Sequence, residues 1–394
     1  MGRITVAVAV SAVAVVAVPG IAGAAFPGTN GDVAFVTTRN NNVDIQQINP
    51  YGTGVGTPSG DLANTTQLTA GSTDAEPFYS PDGTEVLFSS NRSGRWAVYE
   101  IAQSDTGEGT PATEISQVSG HEAHDDYGAS FSDDGGVVGF NRDNQSIESV
   151  VLADGVSSAC SLYSPSGGLA AASSDNGASS RVVFDPAAPT VLAYVAGNNH
   201  IHLLSGIVLP TAGTPCPAQT SLTDVDLSAT ATGAAIGPTQ ADANPDWSPD
   251  GTKIIFDSTR SGGHSLWYFT GPTSGTPTVS ALWPGLAGST TTTDTQPVFS
   301  PDGTKIAYTQ PVSGNGNQVI DFENTFGAPA ADSTDLTLGA GASANSQPVW
   351  QPVEPFPNTP EAPLAVLLPA SGLLAGGAFV LVRRRRHGAR PAAA

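Results

Sequence analysis

Charge is scarce in this sequence, and basic charge most of all. Only 12% of its 394 residues are charged, and acidic residues outnumber basic ones 35 to 14. Six of the basic residues sit at the two ends. Residues 26–361 therefore hold all 35 acids, only eight basic residues and a net charge near −27. The basic footprint that phosphates require is missing, which excludes nucleic acid as a partner and leaves cations or basic surfaces. Helical periodicity is missing as well, outside the two ends. So are the Gly-x-Ser-x-Gly elbow of the α/β-hydrolases, a phosphate loop, a dinucleotide fingerprint and any Cys/His zinc spacing, and "GHSLW" at 263–267 lacks the last glycine of the elbow. Cysteine is nearly absent. The two present, Cys160 and Cys216, point to a disulfide in an exported chain, the alternative being two inert thiols.

Glycine and proline are plentiful, at 45 and 31, and with Ser and Thr they separate short apolar runs, which suits many short strands joined by turns. The ends read differently. Residues 1–25 carry one arginine, an apolar stretch and a small-residue close at Ala22-Gly23-Ala24, as a secretory signal peptide does. Residues 362–382 are uncharged and long enough to span a bilayer, and Arg383 to Arg386 mark the cytoplasmic side of a basic tail, 383–394. A Pro-rich stiff spacer, 353–361, precedes that span. The chain is thus expected to be exported and held at the cell surface by one C-terminal transmembrane helix.

Between the ends a phrase recurs: "EPFYSPDGTEVLFSSNRSG" at 76–94, "NPDWSPDGTKIIFDSTRSG" at 244–262 and "QPVFSPDGTKIAYTQPVSG" at 296–314. Anchored on the aromatic residue before the turn, the copies fall at Tyr79, Phe131, Phe184, Trp247, Phe299 and Trp350, at intervals of 52, 53, 63, 52 and 51 residues. A second aromatic follows nine residues on at Phe88, Phe140, Phe256 and Tyr308, ten residues on at Tyr194, and Phe26 and Phe35 keep the same spacing. In Ser-Pro-Asp-Gly the proline presets φ, the aspartate bonds back to the backbone and the glycine takes a positive φ, so each copy predicts a hairpin. A third strand and a short fourth follow, at 67–69, 221–223 and 336–338 in three copies. Four strands per fifty or so residues is the arithmetic of a propeller blade, which needs neighbours on both faces. The segment around Phe184, roughly 160–223, departs most, because its interval is longer. The chain stops one strand after Trp350, and strands at 32–37 and 43–48 lack such a partner, so the two ends are expected to complete one blade and leave no open edge.

The phrase resembles the TolB-like, WD40-like PD40 repeat, in which Asp-x-x-Pro-x-aromatic-Ser-Pro-Asp-Gly leads into an apolar strand and Ser-x-Arg. The resemblance covers residues 26–352 and implies an all-β, six-bladed TolB-like β-propeller, here with an N-terminal signal peptide and a C-terminal transmembrane helix. It also implies a protein that engages other proteins, without naming one.

Five residues before the anchor stand Asp74, Asp126, Asp242 and Asp294, with Ser179 and Asn345 in the other copies. A ring of such acids about the axis would hold a hard cation such as Ca²⁺; otherwise each acid serves its own blade. Arg39, Arg92 and Arg260 lie thirteen residues after the anchor position and Arg142 eleven after its own, one scaffold position for half of the basic residues in 26–361. "GHEAHDD" at 120–126 groups His121, Glu122, His124 and Asp125, with His200, His202 and His264 as further ligands if a transition metal is held. The leading expectation is a surface-displayed binding scaffold without catalytic chemistry, taking a protein or cell-envelope ligand at one mouth. The alternatives are a metal-assisted polysaccharide lyase or hydrolase using His121, His124 and the axial acids, and a purely structural spacer.

Overall fold

The Ser-Pro-Asp-Gly turn folds the same way four times. In each, the serine hydroxyl donates to the aspartate Oδ1 at 2.7 Å (Ser80 to Asp82, Ser132 to Asp134, Ser248 to Asp250, Ser300 to Asp302). That same Oδ1 accepts the backbone N–H two residues further on, and the serine oxygen accepts the N–H that starts the next strand. The degenerate "SDDG" copy keeps this geometry because proline only presets φ, whereas the serine, aspartate and glycine make the bonds.

In the computed structural model the described residues are 26–353 apart from 40–41, 54, 56–62, 105–111, 117–123, 155–158, 171–180, 235, 238, 283–293, 312–317, 325–333 and 338–343. The expected signal peptide, the transmembrane segment 362–382, the tail and residues 354–361 of the spacer lie outside them.

Each turn joins an inner strand to a second strand, and two more strands complete a blade. Blade 1 contains β4 (Asp74–Tyr79), β5 (Glu85–Ser90), β6 (Ala97–Ala102) and β7 (Thr113–Glu114). Blade 2 contains β8 (Asp126–Phe131), β9 (Val137–Arg142), β10 (Ser146–Val151) and β11 (Ala159–Tyr163). Blade 3 contains β12 (Val183–Asp185), β13 (Ala188–Val195), β14 (Ile201–Ser205) and β15 (Thr223–Asp226). After a short helix, α1 (Leu227–Thr230), comes β16 (Thr232–Gly233), which pairs in parallel with the outer strand of blade 4. The rest of blade 4 is β17 (Asp242–Trp247), β18 (Lys253–Ser258), β19 (Ser265–Thr270) and β20 (Thr278–Ala281). Blade 5 contains β21 (Thr295–Phe299), β22 (Lys305–Pro311), β23 (Gln318–Asn324) and β24 (Thr334–Asp335). The remaining sheet is composite: β25 (Asn345–Val353) is its inner strand, followed by β1 (Thr29–Thr37), β2 (Asp44–Ile48) and β3 (Thr65–Gln67). Antiparallel pairing from Thr29↔Val353 to Thr37↔Asn345 joins the two ends of the described chain.

Sheet follows sheet around a ring, since β4 packs on β8, β8 on β12, β12 on β17, β17 on β21, β21 on β25 and β25 on β4. The apolar core lies between the sheets, and strand alternation divides it. Ala34 and Val36 face one side, against Val86, Phe88 and Tyr99 of blade 1. Val33 and Phe35 face the other, with Trp350 against Val298 and Ala307 of blade 5.

The expected fold class is corrected in two respects. Five blades, not six, are self-contained; the remaining sheet exists only by pairing the two ends of the chain. No helix among the described residues is long and apolar enough to cross a membrane. The segment around Phe184 also differs from expectation: Ala159–Tyr163 ends blade 2 rather than starting the next blade, which begins at Val183. The fourth strands at 67–69, 221–223 and 336–338 shift to Thr65–Gln67, Thr223–Asp226 and Thr334–Asp335, because short edge strands with little apolar content fix their own register weakly.

Trp350 is 3% exposed on the closing strand. Trp350→Ala is expected to cost about 3–5 kcal/mol, read by urea unfolding, whereas Tyr51→Ala on the exposed surface should leave the midpoint almost unchanged.

Candidate binding site at the propeller channel

The repeated acids open the inner strands. Asp74, Asp126 and Asp242 are fully buried, and Asp294 is 8% exposed. Three of them meet the repeated arginine of their own blade. Arg142 grips Asp126 with Nε at 2.8 Å and Nη2 at 2.9 Å, Arg92 reaches both oxygens of Asp74 through Nη2, and Arg260 pairs with Asp242 through Nε and Nη2. Each guanidinium also lies over aromatic rings of its blade, Arg92 at 4.8 Å from Phe88 and Tyr99 and Arg142 at 5.3 Å from Phe140. Arg39 stacks on Phe35 and donates to Gln46 in the composite sheet. In blades 1, 2 and 4 the acid, the cation and the ring form one unit, with carboxylate charge balanced locally.

Two residues further along each inner strand is a bulge in which the backbone turns left-handed: Glu76, Gly128, Asn244, Gln296 and Gln347 have φ between 52° and 56°. Of these, Glu76, Asn244, Gln296 and Gln347, with Arg181 at the equivalent place in blade 3, line one cavity. Their side chains bond from one sheet to the next. The N–H of Gln347 donates to Gln296 Oε1 (2.9 Å), that of Glu76 to Gln347 Oε1 (2.6 Å) and that of Gly128 to Glu76 Oε2 (2.7 Å). Asp257 Oδ1 accepts both the Gln296 N–H and the Asn244 amide. Arg181 is buried here, donates to the Pro77 carbonyl and faces the charges of Glu76 and Asp246; burial lowers its pKa against the pull of those two acids. Beneath this polar ring, Phe26 enters the channel edge-on to Phe78, with Tyr79, Phe299, Trp350 and Asp246 around it. Each of the two cavities lined by these residues has room for about one water molecule. Sequence reading missed this ring, although one signal was available: the position two residues after the repeated acid is polar or glycine in every copy.

The histidines are dispersed. His124 pairs with Asp143, and His264 Nδ1 lies 3.4 Å from Asp257. His200, just before β14, and His202 on it lie beside Asp226 and Asp224, at 2.8 and 2.9 Å, and the hydroxyls of Tyr163 and Tyr194 donate to Asp224. Those two carboxylates raise the His202 pKa to about 9 against the opposing effect of its burial. His121 and Glu122 lie outside the described residues. Among the described residues, no three His, Cys, Asp or Glu side chains are grouped as metal ligands would be. Cys160 and Cys216 form a disulfide that ties the outer strand of blade 2 to the segment following β14.

No family model matches the chain, and no curated protein does. Solved structures do. TolB from Acinetobacter baumannii aligns over 82% of this chain and 67% of its own, with a TM-score of 0.51 and 16% identity. A chain of a nidogen/laminin complex aligns over 82% of this chain and 99% of its own, at 0.51 and 10%. Hydrazine synthase from Kuenenia stuttgartiensis aligns over 84% of this chain and 48% of its own, at 0.50 and 10%. The fold is a β-propeller of the TolB-like kind.

Two outcomes follow. Arg142→Leu strands the buried Asp126 carboxylate and is expected to cost about 3–5 kcal/mol in chemical denaturation. Burial pushes the Asp246 carboxyl up to about 7 against the pull of the Phe299 N–H and Arg181. A raised carboxyl favours the fold at low pH, so its contribution is complete below about pH 4 and is lost as pH rises through 7. Asp246→Asn should remove that part of the pH profile, seen as a melting temperature that gains on wild type above pH 7.

Proposed function

We propose that this chain is a non-enzymatic, surface-displayed scaffold that binds a protein or cell-envelope ligand with the loops around one mouth of its propeller. The observation that carries this reading is the filled channel: hydrogen-bonded side chains and the Phe26 ring occupy the axis, so the rims are the surface left for recognition. The TolB-like fold supports a rigid platform on which loops carry the specificity. In this reading the chain acts outside the cell, with residues 1–25 directing its export. The acidic balance, 35 against 14, favours a basic partner over nucleic acid.

The test is chemical cross-linking of tagged full-length chain in its native envelope, followed by affinity recovery. A discrete partner recovered in near-equal amount is expected. Stoichiometric transition metal in the purified chain, together with turnover on a panel of polysaccharides, would replace this reading with the lyase or hydrolase alternative.

A further inference from the structure

Two aromatic side chains at one mouth break the repeat. One residue after the repeated acid stands Ala75 in blade 1, Ala243 in blade 4, Thr295 in blade 5 and Ser346 in the composite sheet, all of them small. Blade 2 has Tyr127 there. Its ring meets Trp96, from the loop between β5 and β6 of blade 1, at 5.7 Å and 41° between planes. In the matching loop of blade 4, Gly263 and His264 stand where blade 1 has Arg95 and Trp96. Blades 1 and 4 close with alanine at this position.

Carboxylates surround the pair. The Asp125 side chain is 36% exposed and accepts the Trp96 backbone N–H at 3.2 Å. Asp143, also 36% exposed, accepts the Asp125 N–H at 2.9 Å and pairs with His124. Backbone N–H and His124 outweigh the burial of Asp143 and hold its carboxyl below the usual range, so it stays ionised. The Tyr127 hydroxyl is pushed up to about 12, by burial first and then by the charges of Asp125, Glu76, Asp143 and Asp126. Arg95, half exposed, stands 4.0 Å from Asp125, at the outer limit of an ion pair. Indole and phenol faces beside ionised carboxylates attract a cation, and more strongly a planar or desolvated one.

We propose that Trp96, Tyr127, Asp125 and Asp143 form a corner that receives a lysine or arginine side chain of a partner polypeptide. This rests on the binding-scaffold reading and names the chemistry of its partner. The strongly acidic chain supplies the long-range attraction, and the aromatic pair supplies the short-range contact.

The probes are acetylated tetra-lysine and tetra-arginine peptides, with tetra-citrulline as the uncharged control, titrated calorimetrically into full-length chain at low salt. Tyr127→Ala and Asp125→Asn should each weaken binding about tenfold, whereas Tyr127→Phe and the opposite-rim Asp302→Asn should change it less than twofold. Melting of Tyr127→Ala within a few degrees of wild type, as expected from Ala75 and Ala243 at the same position, separates lost contact from lost fold. Equal weakening by Asp125→Asn and Asp302→Asn would mean diffuse charge and overturn the proposal, as would citrulline binding as well as arginine or no peptide binding at all. If Tyr127→Ala chain still recovers its partner from the envelope, the scaffold reading stands and this corner falls.

Discussion

A four-stranded antiparallel blade has two apolar faces, and neither is stable in water alone. Everything else in this protein follows from that constraint. Each blade needs a neighbour on both sides, so the row of sheets must bend until its ends meet. The last sheet cannot be made by either end of the chain separately, and the pairing of β25 with β1 supplies it. The glycine of the turn is held to its identity by the same closure. At Gly83 a Cβ would lie 2.0 Å from the Pro352 carbonyl oxygen, and φ is +69°, so sterics and backbone agree.

Closing the ring brings six inner strands close to one axis, where their backbone N–H groups are cut off from solvent. The bulge residues answer that need. A left-handed backbone in glutamine or glutamate is unfavourable by about 1 kcal/mol or more per residue, yet it aims each side chain at the next sheet's N–H. The interior therefore becomes a hydrogen-bonded seam, with Arg181 balanced between Glu76 and Asp246. Repeated residues serve this scaffold, and the informative residues are those that depart from the repeat.

Much of the ring was legible in the sequence. The aromatic anchors at regular intervals gave the sheets, and the unmatched strand at Trp350 gave the closure. The Asp–Arg pairing was only half legible: both residue types were visible at fixed positions, but a repeated acid reads equally well as a cation ligand or as the partner of a repeated arginine. Side-chain direction across a hairpin, which spacing does not give, is what brings acid and arginine together in blades 1, 2 and 4. The blade around Phe184 was misplaced because 159–163 is apolar enough to begin a sheet as well as to end one, and spacing alone does not say which hairpin owns it. Tyr127 is not visible in the pattern of the repeat because it departs from it. The edge strands slid by two residues where too few apolar side chains pinned them.

Thr29 pairs with Val353 beside the Ser-Pro-Asp-Gly turns, where Gly28 donates to the Pro301 carbonyl and Asn30 accepts from Asp302. Entry and exit of the described chain thus share one side of the disc, and Trp96 and Tyr127 occupy the opposite side. A dye or linker coupled at Thr29, on that side, would point away from those rings, which suits the molecule to oriented immobilisation.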